Sequence, residues 1–217
     1  MMRTMGTRLF LAASAALAAV VFPAPSAQAW TATSTSSFKL IGPNCDGGSV
    51  TASGGVFSFK KPAGVLRCEA KGANGINPTK GKTYTIAWSF KLSTTTNNNA
   101  IFQWKAYPTE GSLQNYPLVL KCISNKLVLQ YRPPPNQTAI QVTSTSISAN
   151  TTYAVKLQIF VSDSASTGWV SYWLNGSQKL NQYKCRTFDS TSVEPKWGIY
   201  GATDTSVTDT VSNLTMN

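Results

Sequence analysis

Apolar side chains recur at every second position through much of this chain, and this alternation constrains the fold more than any other feature. Side chains two residues apart share one face of a β-strand, so a period of two indicates a strand with one buried face. No stretch shows the 3.6-residue period of an amphipathic helix over several turns. The clearest alternating segments are residues 84–92, 126–132 and 153–159. Trp88 and Phe90 lie within the first and are expected in the core.

Turn signals separate the predicted strands at short intervals. Asn175-Gly176 is a strong hairpin signal between residues 169–174 and 178–184, because both residues tolerate a positive φ. Further strands are expected at residues 38–41, 56–59 and 207–216. Many short antiparallel strands predict an all-β fold, a single-domain β-sandwich jelly roll of the concanavalin-A type over residues 30–217.

The amino-terminal segment has the three parts of a secretory signal peptide. Arg3 and Arg8 supply a basic start, residues 9–21 are apolar, and Ala27-Gln28-Ala29 is a small-x-small cleavage site. We therefore expect residues 1–29 to be removed and the protein to be secreted. No later apolar run is long enough for a membrane span, so no membrane partner is expected.

Four cysteines follow this segment, which in a secreted chain favours two disulfides. Three connectivities are possible. We favour Cys45–Cys68 and Cys122–Cys185, with buried free thiols as the alternative. The chain contains no His, so a transition-metal centre is not expected. No other cofactor is expected either, because the function inferred below requires none. Four N-glycosylation patterns begin at Asn136, Asn150, Asn175 and Asn213, and they predict a glycoprotein if the source is eukaryotic.

The charge balance predicts a polyanionic partner. Nineteen Lys and Arg residues against eight Asp and Glu residues give a formal net charge of +11. The Lys residues are scattered rather than clustered, which argues against a nucleic-acid-binding arm. We expect a monomer that binds acidic polysaccharide and not nucleic acid. A basic protein that binds membranes or nucleic acid non-specifically is the alternative, and it would show steep salt sensitivity.

Three strand-like segments carry polar residues two apart, where a buried face should be apolar. They are residues 67–71, 103–105 and 196–200. Charged side chains are almost never buried unless they are paired. A solvated outer face would explain one such row, but three in one domain favour a binding face, which we expect to form a concave polar groove.

These rows resemble the signature motifs of the alginate-lyase-like and glucuronan-lyase-like jelly-roll polysaccharide lyases. Residues 67–71 match the pattern R-x-E-x-R, with Lys71 in the final position, and residues 103–105 match Q-[IV]-H, with Lys105 in place of His. Residues 194–202 follow Y-x-K-x-G-x-Y-x-Q through Lys196, Gly198 and Tyr200, whereas Glu194 and Ala202 depart from it.

The resemblance implies a β-elimination at a uronic acid. Arg67 and Gln103 would then hold the carboxylate. Tyr200 would transfer the proton, favoured as phenolate by the nearby cations. Lys105 would neutralise the carboxylate or act as a base. The remaining expectations are that Glu69 orients Arg67 or Lys71 by ion pairing and that Lys71, Lys196 and Asn115 bind the polymer.

The absence of His favours a particular substrate stereochemistry. In glucuronate and mannuronate the C5 proton and O4 leave from one face of the ring, so a single Tyr can serve as base and then acid. We therefore expect a 1,4-linked glucuronan or mannuronan type of substrate. A non-catalytic, lectin-like module is the alternative. Tyr107, Tyr116 and Tyr131 are candidates for stacking on sugar rings, although ordinary packing is as plausible for each.

Overall fold

A computed structural model describes residues 29–107, 114–135, 138–189 and 191–217. The predicted signal peptide, apart from Ala29, lies outside the described residues, as does the glycosylation candidate Asn136. Two short 3-10 helices span Thr35–Ser37 and Gly42–Asn44. The strands are β1 Trp30–Thr31, β2 Phe38–Leu40, β3 Ser49–Ser53, β4 Val56–Lys61, β5 Arg67–Ala73, β6 Thr83–Leu92, β7 Asn99–Ala106, β8 Leu118–Ile123, β9 Lys126–Tyr131, β10 Ile140–Ser146, β11 Tyr153–Phe160, β12 Trp169–Leu174, β13 Ser177–Lys184, β14 Val193–Gly201 and β15 Val207–Met216. Neither helix is long and apolar enough to cross a membrane, which is a statement about these described residues only.

The strands form two antiparallel sheets. The first sheet has the order β13-β12-β11-β6-β15-β4-β3, with β1 paired to β15, and the second has the order β10-β9-β8-β7-β14-β5-β2. Neighbours such as β14 and β5 are far apart in sequence, so the chain crosses repeatedly between the sheets. This arrangement confirms the all-β jelly roll.

Aromatic side chains fill the space between the sheets. Trp88 of the first sheet stacks on Phe102 of the second, with ring centroids 5.0 Å apart. Trp88 and Phe90 are buried, as predicted, and so are Trp104 and Trp197, which alternate with the polar rows. Each polar row therefore has an apolar counterpart facing the core, and the polar side chains lie on the outer face of the second sheet.

One of the two expected disulfides is present. Cys45 and Cys68 are bonded and attach the 3-10 turn at residues 42–44 to β5. The predicted Cys122–Cys185 bond is wrong, because both residues are buried free thiols.

The geometry of β8 and β9 explains the separation of these thiols. Cys122 lies opposite Leu127 at one end of the strand pair. Tyr131 lies at the other end, opposite Leu118, and its hydroxyl accepts a hydrogen bond from the N–H of Arg186, the neighbour of Cys185. Cys122 and the Tyr131 side chain that contacts the neighbour of Cys185 thus lie at opposite ends of the β8–β9 pair.

Candidate active site

Three neighbouring strands bring the polar rows together on the second sheet. β14 lies between β5 and β7. Lys196 is opposite Lys71 on one side and Gln103 on the other. Four residues further along β14, Tyr200 is opposite Arg67 and Ala100. Segments that are distant in sequence thus form one surface, as the spacing of the motifs predicted.

A pocket of about 190 Å³ lies at the centre of this surface. It gathers six of the eight residues that the sequence marked for catalysis or substrate binding, together with one Tyr that was a candidate for sugar stacking. Glu69 and Lys71 lie outside its lining. The lining residues are Arg67, Gln103, Lys105, Asn115, Tyr116, Lys196 and Tyr200.

Glu69 is the buried anchor of this pocket. The residue is 2% exposed, and its carboxylate accepts hydrogen bonds from Gln103 Nε2 at 2.5 Å and from Lys196 Nζ at 2.7 Å. The expectation that Glu69 orients Arg67 or Lys71 is therefore wrong. The ion pair engages Lys196, which is itself only 4% exposed. Burial with an excellent partner makes Lys196 part of the framework of the pocket.

This contact also fixes the orientation of the Gln103 side chain. A carboxylate only accepts hydrogen bonds, so the NH₂ end of the amide must face Glu69. One N–H of that group is used by Glu69, and the other is available to a ligand in the pocket. Gln103 can therefore donate to a substrate carboxylate without adding charge.

Lys71 belongs to a second group of ion pairs beside the pocket. Glu194 Oε1 accepts from Lys39 Nζ at 2.7 Å, and Glu194 Oε2 lies 3.1 Å from Lys71 Nζ. Burial opposes ionisation of Glu194, but the hydrogen bonds from both lysines prevail and hold its pKa below the usual value. The Lys71 ammonium also lies 4.1 Å from the centre of the Tyr107 ring. Glu194 is thus a strand residue of β14 whose carboxylate holds two lysines.

Arg67 and Lys105 are cations of a different kind. Within the described part of the chain, neither forms an ion pair with a carboxylate. Lys105 Nζ donates to the backbone carbonyl of Asn115 at 3.2 Å and to its side-chain Oδ1. Burial, and then the charge of Lys196, lower the pKa of Lys105 to about 8. Asn115 therefore positions Lys105, which is a more specific role than the polymer contact predicted for it.

Tyr200 lies at the rim of the pocket with 37% of its surface exposed. Two residues earlier, Gly198 has φ of +113°, and a Cβ there would lie 2.4 Å from the carbonyl oxygen of Cys68 on β5. Only Gly fits this close approach of two backbones. Gly198 therefore lets β14 lie against β5 so that Tyr200 faces Arg67.

A second, smaller pocket of about 70 Å³ adjoins the first and shares Gln103, Tyr116 and Tyr200 with it. Sequence reasoning missed its polar residues on β8 and β9. The signal was present, because Gln130 of β9 and Arg132 just after this strand alternate with the core residues Leu129 and Tyr131. Tyr131, a candidate for stacking on sugar, is instead buried in the core at 6% exposure. The additional lining residues are Ala100, Val119, Lys121, Gln130 and Arg132.

The fold and this site define the class of protein: a jelly roll whose outer sheet face carries a pocket of cations, an amide and a tyrosine suited to an acidic glycan. The sequence model of the polysaccharide lyase family matches residues 43–212. The chain therefore belongs to the polysaccharide lyase family, and it is an enzyme of that class. None of these findings supports the lectin-like alternative.

Solved structures share the fold at low sequence identity. The endo-β-1,4-glucuronan lyase of the fungus Trichoderma reesei is 16% identical with a TM-score of 0.68, over 86% of this chain and 93% of that one. The alginate lyase A1-II′ of polysaccharide lyase family 7 is 12% identical with a TM-score of 0.60, over 87% and 93%. The alginate lyase vAL-1 from Chlorella virus is 10% identical with a TM-score of 0.53, over 78% and 88%. No curated protein sequence gave a match.

Proposed function

We propose that this protein is a secreted lyase that cleaves a 1,4-linked uronan of the glucuronan or mannuronan type by β-elimination. The observation that carries the proposal is the meeting of Arg67, Gln103, Lys105 and Tyr200 in one pocket. These are the groups that such a reaction needs: donors for a carboxylate and a group that transfers a proton.

The first requirement of the reaction is to make the C5 proton acidic. A neighbouring carboxylate opposes its removal, because negative charge would accumulate as the C5–H bond breaks. In this proposal the Arg67 guanidinium and the free N–H of Gln103 bind the carboxylate, and the Lys105 ammonium adds positive charge beside it. Positioned donors of this kind stabilise the charge that develops in the transition state.

Tyr200 is then the group that moves the proton. As phenolate it removes the proton from C5, the electron pair forms the C4=C5 double bond, and the C4–O4 bond breaks. The departing O4 takes the proton from the Tyr200 hydroxyl, which returns the phenolate and balances the reaction. The cations Arg67 and Lys105 line the same pocket as Tyr200.

A single proton-transferring residue favours substrates in which the proton and O4 lie on one face of the sugar ring. Glucuronate and mannuronate have this arrangement, whereas guluronate does not. The chain has no His to serve as a second group. The structural likeness to a fungal enzyme that acts on glucuronan supports the same substrate class.

The setting of the reaction follows from the signal peptide and the charge. The predicted leader supports an extracellular location, and the net charge of +11 supports an acidic polysaccharide as partner. The proposed chemistry uses no metal or organic cofactor. Among the described residues, no cluster of three or more His, Cys, Asp or Glu side chains is placed to hold a metal ion.

The test is to incubate the purified protein with glucuronan, polymannuronate, polyguluronate and a pectic acid. Product is followed by the ultraviolet absorbance of the C4=C5 uronate. The proposal predicts product from glucuronan or polymannuronate. Cleavage of polyguluronate alone would contradict the stereochemical argument, and no product from any of the four would contradict the uronan lyase.

A further inference from the structure

The outer face of the first sheet carries a groove of its own. A depression of about 300 Å³ crosses β12, β11, β6 and β15 on this face. Its floor is low, because the outward positions are taken by the small side chains of Ala87 and Ser89 on β6 and Ala154 on β11. The aromatic core between the two sheets separates this groove from the active-site pocket.

A cation and an aromatic ring form one wall of the groove. Lys156 of β11 lies opposite Trp173 of β12, and its ammonium is 3.9 Å from the centre of the Trp173 ring. Both side chains are half-buried. The attraction between an ammonium and an indole face holds the cation in place. Because no carboxylate of the described residues forms an ion pair with Lys156, its ammonium can still bind an anion.

A β-bulge in β15 forms the other side of the groove. The register between β15 and β6 shifts between Ser212 and Thr215. Within this bulge Leu214 is buried, whereas Asn213 is exposed with φ of +54° and lines the groove. Bulges of this kind redirect side chains beside binding sites. A second depression of about 380 Å³ also reaches Asn213 and extends to the turn at residues 54–55.

The length of the groove suits a polymer rather than a single sugar. From β12 to β15 it crosses three spacings between strands, or roughly 14 Å, which is longer than one sugar ring. The second depression continues it beyond β15. Apolar and aromatic walls with a few polar groups are typical of ligand sites.

The charge of this sheet favours an anionic occupant. Its eight strands contain one acidic residue, Asp209, which is fully buried. Lys60, Lys91 and Lys156 occupy outward positions of β4, β6 and β11. No ion pair among the described residues involves any of them. An anion on this face therefore meets positive charge without competition from acidic side chains of the sheet.

We propose that this groove is a second binding site for acidic polysaccharide, on the face of the molecule opposite the active site. In it Lys156 binds a uronate carboxylate, Trp173 packs against a sugar ring and Asn213 hydrogen-bonds to hydroxyl groups. The choice of a uronan as occupant rests on the proposed function. A polymer held on this face keeps its other segments near the active-site pocket, which raises their effective concentration there.

The experiment measures binding to glucuronan and to polymannuronate immobilised on a sensor surface. The protein carries Arg67→Ala and Tyr200→Phe, which weaken the active-site pocket and leave the polymer intact. In this background Lys156→Gln is compared with Lys82→Gln, which makes the same change of charge at an exposed position just before β6. Trp173→Ala is a second groove variant, and thermal unfolding checks that every variant is folded.

The proposal predicts that the background protein still binds the uronan. Lys156→Gln and Trp173→Ala should each weaken this binding about tenfold, and Lys82→Gln should leave it unchanged. Equal affinities of Lys156→Gln and Lys82→Gln would overturn the second site. Equal binding of the background protein to a neutral β-1,4-glucan, or tighter binding to single-stranded RNA, would overturn acidic polysaccharide as its occupant.

The same measurements separate the second site from the proposed function. If the background protein binds no uronan while the wild type releases unsaturated product, the second site is overturned and the lyase stands. If the wild type releases no product but uronan binds in a manner that depends on Lys156, the lyase proposal fails and the second site stands.

Discussion

Two groups of cations share the outer face of the second sheet, and they differ in their partners. Lys39, Lys71 and Lys196 form ion pairs with Glu194 or Glu69. Arg67 and Lys105 form no ion pair with the carboxylates of the described residues. Lys121, in the adjoining pocket, forms no ion pair with these carboxylates either. Lys39 and Lys71 lie on β2 and β5 beside the pocket, whereas Lys196, Arg67 and Lys105 line the pocket that holds Tyr200.

The difference shows which charges maintain the fold and which are available to a ligand. A buried cation that already has a carboxylate gains little from a second anion, and its loss leaves that carboxylate unpaired. A cation without a protein partner can be neutralised by substrate. The motif positions do not all belong to one group, since Lys196 is paired with Glu69, whereas Arg67 forms no ion pair with a described carboxylate.

The largest effect on stability is expected at the paired group. Lys196→Met leaves Glu69 buried without its ion pair, and this should lower the free energy of unfolding by about 3–5 kcal/mol. Denaturant unfolding checks the value. In the double variant with Glu69→Gln part of the loss should return. A Lys196→Met protein as stable as the wild type would contradict the division into two groups.

Arg67→Ala should show the opposite pattern. Arg67 is exposed and forms no ion pair with the described residues, so stability should change by no more than about 0.5 kcal/mol. The activity constant kcat/KM should fall by about a hundredfold to a thousandfold, because a donor to the developing charge is lost. Arg67→Lys is the matched control, and it should recover part of the activity. Unchanged kcat/KM in Arg67→Ala would remove Arg67 from the site.

The pH dependence of kcat/KM tests the state in which Lys105 works. Its pKa of about 8 means that the ammonium loses its proton as pH rises through that value. If the charge is what matters, kcat/KM should fall on the alkaline side, to about a tenth one pH unit above the pKa. Lys105→Arg keeps the charge at all these pH values, so its alkaline decline should disappear. If kcat/KM of the wild type instead rises through this pH and Lys105→Arg is inactive, Lys105 acts as the base.

The smallest effect is expected for Lys71→Ala. Its pair with Glu194 is partly exposed, with 25% and 13% of the two side chains accessible, and Lys39 still binds the same carboxylate. Thermal unfolding should show a loss of about 0.5 kcal/mol or less, with kcat nearly unchanged. A large fall in kcat would place Lys71 among the cations that bind substrate.

The sequence predicted the fold well, but it did not predict which charged side chains form ion pairs with each other. Period-two alternation gave the jelly roll and the buried faces of β6, β9 and β11, because burial repeats along a strand. It did not identify β3, β8 or β10. β8 is buried on both faces and so lacks alternation, whereas β3 and β10 are largely polar.

At the site, the sequence likewise located residues but not their partners. Motif spacing located the residues of the pocket, since it fixes which face each side chain takes. It could not show that Glu69 pairs with Lys196 rather than Arg67, because that depends on the register between β5 and β14. The fold likewise separates Cys122 of β8 from Cys185, which follows β13 of the other sheet, although the even number of cysteines had suggested a bond between them. Lys121 was missed because its pocket forms only when β8 lies beside β7.

The most direct test of the account is the turnover of glucuronan and polymannuronate by wild type and Tyr200→Phe, measured as unsaturated product, with binding of each polymer measured in parallel. The account predicts that the variant binds like the wild type while kcat falls by at least about a thousandfold, since only the proton-transferring hydroxyl is removed. Comparable kcat values for the two proteins would contradict it, because another group would then move the proton.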